Sequence, residues 1–589
     1  MDDIKYAGDP IFRSEVREGM RVDWDVPIAM SDGLVLRANV YRPDDDGQYP
    51  VVMSHGPYGK DLHFEEIYKT CWDLMCENHP DVPAGSTNIH QSWEVCDPEK
   101  WVPKGFVVIR VDSRGSGRSP GYLEVFSARE TQDFATCIDW AGVQPWSNGK
   151  VGLSGISYYA VNQWQVAALK PKHLAAICPW EGFNDFYREL SHNGGIYNTF
   201  QRHWYDMQIM KIQHGYGDRG WRSRANGEWA AGPDTLSEEE LKANRFDLHG
   251  DYISHPFDDE WYATRTPDLS KVDVPVLSCA NWGGAPLHPR GNFNGFMKSS
   301  SRQKWLEIHG LEHWSLYYTD YGNDLQMRFF ERFLRGDDSA FPDEPRVMLN
   351  VRHPGEKFVS RGEDDWPIPR TEWTKFHLEP VGQILSETPS ASDATFTFAA
   401  EGDGLTFLST PVEEDTEICG PMAVKLNVSS DTSDADLFVI LRVFQPDLKE
   451  VTFRGALDPH TPVASGWLRA SHRALDATRS EEWAPFHAHD KAEPLTPGDV
   501  YEVDVEIHAS GIVVPKGFRF GVSIRGCDYV YPGEPNSGLS NMKNVFTGVG
   551  PFLHDDPDNR PDVIYKNNIT LHVGPQKAGY ALLPVIPAN

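Results

Sequence analysis

At 589 residues the chain is long enough for two to four domains of about 100–200 residues each. Hydrophobic residues make up 40% and charged residues 24%, which excludes a largely disordered chain, and 86 Asp+Glu against 55 Lys+Arg leave a net charge of −31, which argues against a nucleic-acid partner. Eight Cys without a Cys-x-x-Cys pair do not form a disulfide framework, the polar residues 1–9 carry no export signal, and no run approaches the roughly 18–20 apolar residues of a membrane span, so a cytoplasmic protein without membrane association is expected.

Residues 21–26 and 34–41 alternate apolar and polar side chains, as antiparallel strands do. Short apolar runs follow at 49–54, 105–111, 149–155, 174–179, 274–279 and 304–309. They are bounded by Gly or Pro and spaced widely enough for intervening helices, which predicts an α/β domain with a parallel sheet covered on both faces. Between 187 and 260 the chain is polar and aromatic, with helical spacing at 199–213 and 237–244. That stretch interrupts the strand series and reads as an inserted helical cap. A further amphipathic helix is expected over 322–335. Beyond Pro367 and Pro369 lie alternating segments such as 422–428, 437–443 and 501–507, which predict an all-β sandwich, a jelly roll. The expected divisions are 1–186 and 261–350 for the α/β domain, 187–260 for the cap and 351–589 for the C-terminal domain.

The strongest chemical signal is 151–164 (VGLSGISYYAVNQW). A buried strand runs through Gly155 and Ser157 into a helix-like stretch. A sharp strand-to-helix turn of this kind exposes its central hydroxyl at the carboxyl end of the sheet, beside the backbone N–H groups of a helix start. Tyr159 occupies the second glycine position of Gly-x-Ser-x-Gly, so a capping Ser is the competing reading. A nucleophilic Ser needs a base, and the chain order in such folds is Ser, acid, His. His313 lies in the loop after the last apolar run, where that base belongs. His309, Glu312 and His313 also fit a His-x-x-Glu-His zinc spacing, but Gly310 interrupts the helix that zinc binding would need, so His309 is expected to be structural and no metal is expected. Tyr58 sits in a Gly/Pro-rich loop after an early strand, where its phenol is either an oxyanion donor or a packed side chain.

With these parts the chain resembles the cocaine esterase and X-prolyl dipeptidyl peptidase (CocE/NonD-like) group of α/β-hydrolases. The resemblance rests on Pro57-Tyr58-Gly59-Lys60, on 111–119 (VDSRGSGRS), on 144–152 (QPWSNGKVG), on Gly155-Ile156-Ser157-Tyr158 and on Asp185-Phe186-Tyr187-Arg188. It continues through 329–336, Trp366-Pro367-Ile368-Pro369, 466–473, 495–502 and 515–520. It implies an α/β-hydrolase fold with an inserted helical cap and a C-terminal jelly roll. It also implies Ser157 as nucleophile, His313 as base, and an oxyanion hole made by the Tyr58 hydroxyl and the backbone N–H of Tyr158. The family's acid falls in a Trp-Tyr-Asp sequence, but here 281–284 reads Asn-Trp-Gly-Gly, with Gly284 at the Asp position and no carboxylate until Glu307. Glu181 and Asp185, just after the preceding strand, are the nearest substitutes. Asp185 belongs to the family-typical Asp-x-Tyr-Arg stretch and reads as a structural partner of Arg188, so Glu181 is preferred as the acid, ahead of Asp185, Glu312 and Asp320. Its carboxylate is expected within about 2.6–3.2 Å of the outer His313 ring nitrogen.

The resulting expectation is a serine hydrolase that cleaves carboxylic esters or amides through an acyl-enzyme, with no metal or organic cofactor. The partner is a small-molecule ester or amide; homo-oligomerisation is left open. Trp180, Trp204, Trp282 and Trp314 suggest an apolar acyl site, against core packing for each alone. Two alternatives stand beside this reading. One is an X-Pro dipeptidyl aminopeptidase, which needs carboxylates for a free amino terminus; the acidic run 238–240 reads instead as a solvated face. The other is a non-catalytic carbohydrate-binding or scaffold protein, whose support is the missing acid.

Overall fold

The computed structural model describes residue 6 and residues 8–534, 538–539 and 546–587. The remaining N-terminal residues, on which the missing export signal is read, lie outside these. The strands begin with β1 (Arg13–Arg17), β2 (Met20–Ala29), β3 (Val35–Arg42), β4 (Tyr49–Gly56), β5 (Val107–Asp112), β6 (Ser147–Ile156) and β7 (Leu174–Trp180). After a two-residue hairpin, β8 (His192–Asn193) and β9 (Ile196–Tyr197), come β10 (Val276–Asn281), β11 (Lys304–His309), β12 (Val347–His353) and β13 (Lys357–Glu363). Hydrogen bonding orders the main sheet β1-β2-β3-β5-β4-β6-β7-β10-β11-β12-β13. It is parallel from β5 to β12 and antiparallel at both ends. Every residue of β5 and β10 is buried, as expected for central strands covered by helices on both faces.

The helices Ala128–Gly142, Tyr158–Ala167, Pro289–Lys298 and Asp320–Phe330 flank this sheet. The helix expected over 322–335 is α-helical only to Phe330; a wider turn, Glu331–Arg335, follows and stops at Gly336, whose φ of 81° suits a residue without a side chain. The helix expected over 199–213 is likewise divided, into Phe200–Trp204, a wide turn Tyr205–Ile209 and a tight turn Met210–Ile212. Glu238–Ala243 forms as expected, because Ser237 and Glu240 make reciprocal capping bonds. The division expected between 350 and 351 falls inside β12, which continues the parallel sheet from β11 and pairs with β13. Among the described residues no helix is long and apolar enough to cross a membrane.

From Glu372 onward the regular elements among the described residues are strands, apart from the short helical turns Ala470–His472 and Asp562–Tyr565. Thr416–Ser430 pairs antiparallel with Tyr501–Val514, Asn568–Val573 and Tyr580–Ile586. Asp436–Phe444 pairs with Ala464–Arg469 and Arg519–Arg525. These strands enclose their own apolar core, which includes Leu426, Val439, Val505 and Val522. The domain is clamped to the rest of the chain by buried ionic side chains. Arg290 binds Glu189 on one side and Glu506 on the other, each at 2.9 Å. Arg188 donates to the His487 carbonyl at 2.8 Å.

A buried charge cluster fixes the loop that carries Tyr58. Lys60 Nζ lies 2.8 Å from Asp25 Oδ1 and 2.6 Å from Asp61 Oδ2. The Lys60 and Arg118 backbone N–H groups donate to the two oxygens of Asp112 at 2.7 and 2.8 Å. Burial pushes Asp112 up to about 7, although the Lys60 charge opposes it. Removing the ammonium strands these carboxylates without a nearby lysine, so Lys60→Met is expected to lower stability by about 3–5 kcal/mol. Urea denaturation read by tryptophan fluorescence checks this; a midpoint unchanged from the wild type would refute it.

Candidate active site

Ser157 stands where β6 turns sharply into the helix Tyr158–Ala167, with φ 56° and ψ −113°. A side chain in that left-handed region costs of order 1–3 kcal/mol and persists only where its surroundings enforce it. Two constraints do so here. The Ser157 N–H donates to the carbonyls of Trp180 and Glu181 at 3.1 and 3.2 Å, at the end of β7. A Cβ on Gly155 would lie 2.3 Å from the Tyr159 Cβ, so the position two residues before Ser157 accepts only glycine. The hydroxyl is thereby held at the carboxyl edge of the sheet, above the helix start.

Glu181 and His313 meet at that edge. Glu181 Oε2 lies 2.8 Å from His313 Nδ1. The other oxygen, Oε1, lies 3.3 Å from both His309 Nε2 and Asn281 Nδ2. His309 is held in turn by Glu307 at 2.7 Å, so it is a buried structural histidine. Burial alone would raise Glu181, but the charge of His313 and the hydrogen bonds from His309 and His313 hold it down at about 2. Burial alone would lower His313; Glu181 first and then Glu94 outweigh it and raise the imidazole to about 10. A Cβ placed on Gly284 would sit 3.5 Å from Glu181 Oε2. The Glu181 carboxylate therefore fills the space that an acidic side chain at 284 would enter. Of the other acids, Asp185 pairs with Arg188 at 3.1 Å, and Glu312 binds Arg454 at 3.0 Å and Ser315 at 2.8 Å.

Two residues that sequence reasoning missed complete the site. Ser157 Oγ lies 3.2 Å from His288 Nε2, and His313 Nε2 lies 3.1 Å from Glu94 Oε1. The link expected between Ser157 and His313 is thus replaced, in this conformation, by two separate contacts. His288 and His313 stack face to face, with centroids 5.1 Å apart and planes 10° apart. His288 immediately precedes the helix Pro289–Lys298, four residues beyond Gly284. A search of 281–288 for any imidazole, and not only for a carboxylate, would have found it.

Tyr58 faces the same cavity as Ser157. Its oxygen accepts a bond from Trp204 Nε1 at 3.0 Å, which leaves the phenol proton to donate. Burial, foremost, raises Tyr58 well above the usual phenol range, so it stays neutral. Tyr158 is the first helical residue, where the backbone N–H has no partner within the helix. Its own hydroxyl is engaged elsewhere, donating to Glu130 at 2.6 Å. The cavity is walled by aromatic side chains, among them Trp93, Phe126, Phe183 and Trp204. Ala456, Leu457 and Phe552 close it from the C-terminal domain. Of the four tryptophans named from the sequence, Trp204 lines this cavity, whereas Trp180 and Trp314 are fully buried and Trp282 packs in a separate core with Phe293 and Trp366.

Comparison with known proteins follows the same division. Residues 32–315 match the family model described as X-Pro dipeptidyl-peptidase (S15 family), and residues 339–578 match its C-terminal non-catalytic domain. A solved CocE/NonD family hydrolase from Staphylococcus aureus is 31% identical, with a TM-score of 0.83 over 98% of this chain and 97% of that one. The cocaine esterase of Rhodococcus sp. is 24% identical over 95% of this chain and 98% of its own. An aminopeptidase from a Thaumarchaeota archaeon shares the fold at 15% identity and a TM-score of 0.65, over 98% of this chain and 96% of that one.

If the Glu181 carboxylate holds the His313 charge, Glu181→Gln will lower the His313 pKa by about one unit or more. Histidine NMR titration measures this directly, and an unshifted His313 resonance would break the pairing.

Proposed function

Because the chain belongs to the CocE/NonD family of hydrolases, we propose that it is a serine hydrolase which cleaves carboxylic esters through an acyl-enzyme intermediate. The observation that carries this reading is the strained Ser157 turn beside the buried Glu181–His313 pair. In the proposed cycle Ser157 Oγ attacks the carbonyl carbon while its proton passes to His313 Nε2. Glu181 keeps the His313 proton on Nδ1 and offsets the positive charge that forms. The carbonyl oxygen becomes an oxyanion and takes hydrogen bonds from the Tyr58 hydroxyl and the Tyr158 N–H. Collapse breaks the ester bond, the leaving alkoxide takes the proton from His313, and water, deprotonated by the same imidazole, releases the acid.

The segment 187–260 is proposed as a helical cap and the C-terminal domain as a jelly roll, which together shape the acyl site. The aromatic walls favour an apolar or aromatic acyl group. A second reading, an X-Pro dipeptidyl aminopeptidase, is favoured by the descriptions of both family models. It would need a carboxylate free to meet the substrate's amino group. The cavity carboxylate, Glu94, is already engaged with His313. The carbohydrate-binding or scaffold alternative rested on the missing acid, and the Glu181 carboxylate 2.8 Å from His313 argues against it.

A panel of p-nitrophenyl esters against dipeptidyl-Pro p-nitroanilides tests the assignment. Esters should give the higher kcat/KM; the reverse order would install the peptidase reading. Ser157→Ala should lose fluorophosphonate labelling and about 10⁶ in kcat while keeping its circular dichroism spectrum. Turnover near the wild-type rate in that variant would remove Ser157 from the mechanism.

Tyr58→Phe should cut kcat by about 10²–10³ with little change in KM, because its donor acts on charge present only in the transition state. An effect confined to KM would make Tyr58 a substrate-binding residue instead.

A further inference from the structure

Two contacts at the nucleophile do not belong to the proposed relay: His288 on Ser157 Oγ and Glu94 on His313 Nε2. An imidazole Nε2 presents a single proton or a single in-plane lone pair, so His313 Nε2 cannot serve Glu94 and Ser157 together. From this geometry we infer that Glu94 is a positioning residue that parks His313 away from Ser157 in the resting enzyme. The inference rests on the serine-hydrolase reading and adds a control to it.

Glu94 is built for this place. Its backbone has φ 62°, and its carbonyl accepts the N–H of Ile156 at 3.0 Å, the residue just before the nucleophile. The loop that carries Glu94 is therefore tied to the turn that carries Ser157. The side chain is buried and faces the cavity shared by Ser157 and Tyr58. One oxygen meets His313; the other, Oε2, is buried with no hydrogen bond among the described residues. The Trp93 side chain also favours the ionised carboxylate, but less than the imidazole does.

The surrounding charges show which state each group holds. His313 faces Glu181 and Glu94, and His288, kept neutral chiefly by burial, stacks on it. Glu94 faces His313, with Glu181 beyond it, and the phenols Tyr58, Tyr68 and Tyr318, which burial keeps neutral. Burial raises Glu94 to about 7, against the pull of His313, while Glu181 stays ionised. With Glu94 ionised, His313 is held as an imidazolium between two carboxylates and cannot accept the Ser157 proton. Once Glu94 is neutral, or an acyl group displaces it, Nε2 is released to the hydroxyl.

The rate of fluorophosphonate acylation from pH 5 to 10 tests this in the full-length protein. Acylation needs neutral His313, so the rate rises with pH through the His313 titration. Losing one of its two carboxylates lowers that pKa. In Glu94→Gln the rising limb should move down by about one pH unit or more, with labelling at pH 8, where the wild-type Glu94 is ionised, roughly tenfold faster than in the wild type. A limb that stays in place while labelling slows at every pH would make Glu94 a structural residue and overturn the inference. If Glu94→Gln does not fold, Glu94→Asp, which retracts the carboxylate by one methylene, should shift the limb part of the way; an unmoved limb would again overturn it. No labelling of either protein at any pH would instead overturn the serine-hydrolase reading itself.

Discussion

A carboxylate and an imidazole 2.8 Å apart, both shut away from water, organise the centre of this molecule. Neither charge would survive alone there, because burial pushes Glu181 toward its neutral acid and His313 toward its neutral base. Together they hold each other charged, and the strands around them are arranged accordingly. Glu181 follows β7, the strand beside the nucleophile's strand, and its carbonyl takes the Ser157 N–H. The same residue thus pins the strained turn through its backbone and holds the His313 imidazole through its side chain. Its own φ of 54° shows that the chain is bent sharply to do so.

A carboxylate at 181, with glycine at 284, has consequences for its neighbours. An acid at 284 would reach His313 from the end of β10; Glu181 reaches it from the end of β7, one strand nearer to Ser157. The vacated loop then carries His288, which lies flat on His313 and touches Ser157. His309 and Asn281 hold the second Glu181 oxygen, so the carboxylate has no freedom to turn away. The C-terminal domain takes part as well, because Ala456 and Leu457 reach the cavity and the Ala456 carbonyl accepts the His313 N–H at 3.3 Å. The ionic clamps through Arg290 and Arg188 keep that wall in register with the site.

Much of this was legible in the residues, for physical reasons that can be named. The Ser157 turn is visible because a sharp strand-to-helix connection needs a position like Gly155, where any side chain would strike Tyr159. The sheet strands are visible because central parallel strands are apolar throughout. Glu181 was reached through the family resemblance, which puts the usual acid at Gly284, and through its place just after the strand beside that of Ser157. Glu94 and His288 lie in irregular loops whose contacts bridge 219 and 131 residues of sequence, and no local period reports such an approach. The run of β12 across residue 350 was hidden for a related reason: it is set by pairing with β11, which overrides local pattern.

The account's central claim is that Glu181 does the work of an acid absent at 284, and exchanging the two positions tests it most directly. Glycine suits the left-handed backbone at 181, and a side chain at 284 would point at the space the Glu181 carboxylate leaves. Fluorophosphonate acylation of Ser157 should fall by about 10⁴ in Glu181→Gly, the usual cost of losing a triad carboxylate. It should recover by at least about 10² when Gly284→Asp is added, since a restored carboxylate returns most of what its loss removed. Acylation of Glu181→Gly at the wild-type rate, or a double variant no faster than the single one, would contradict the account.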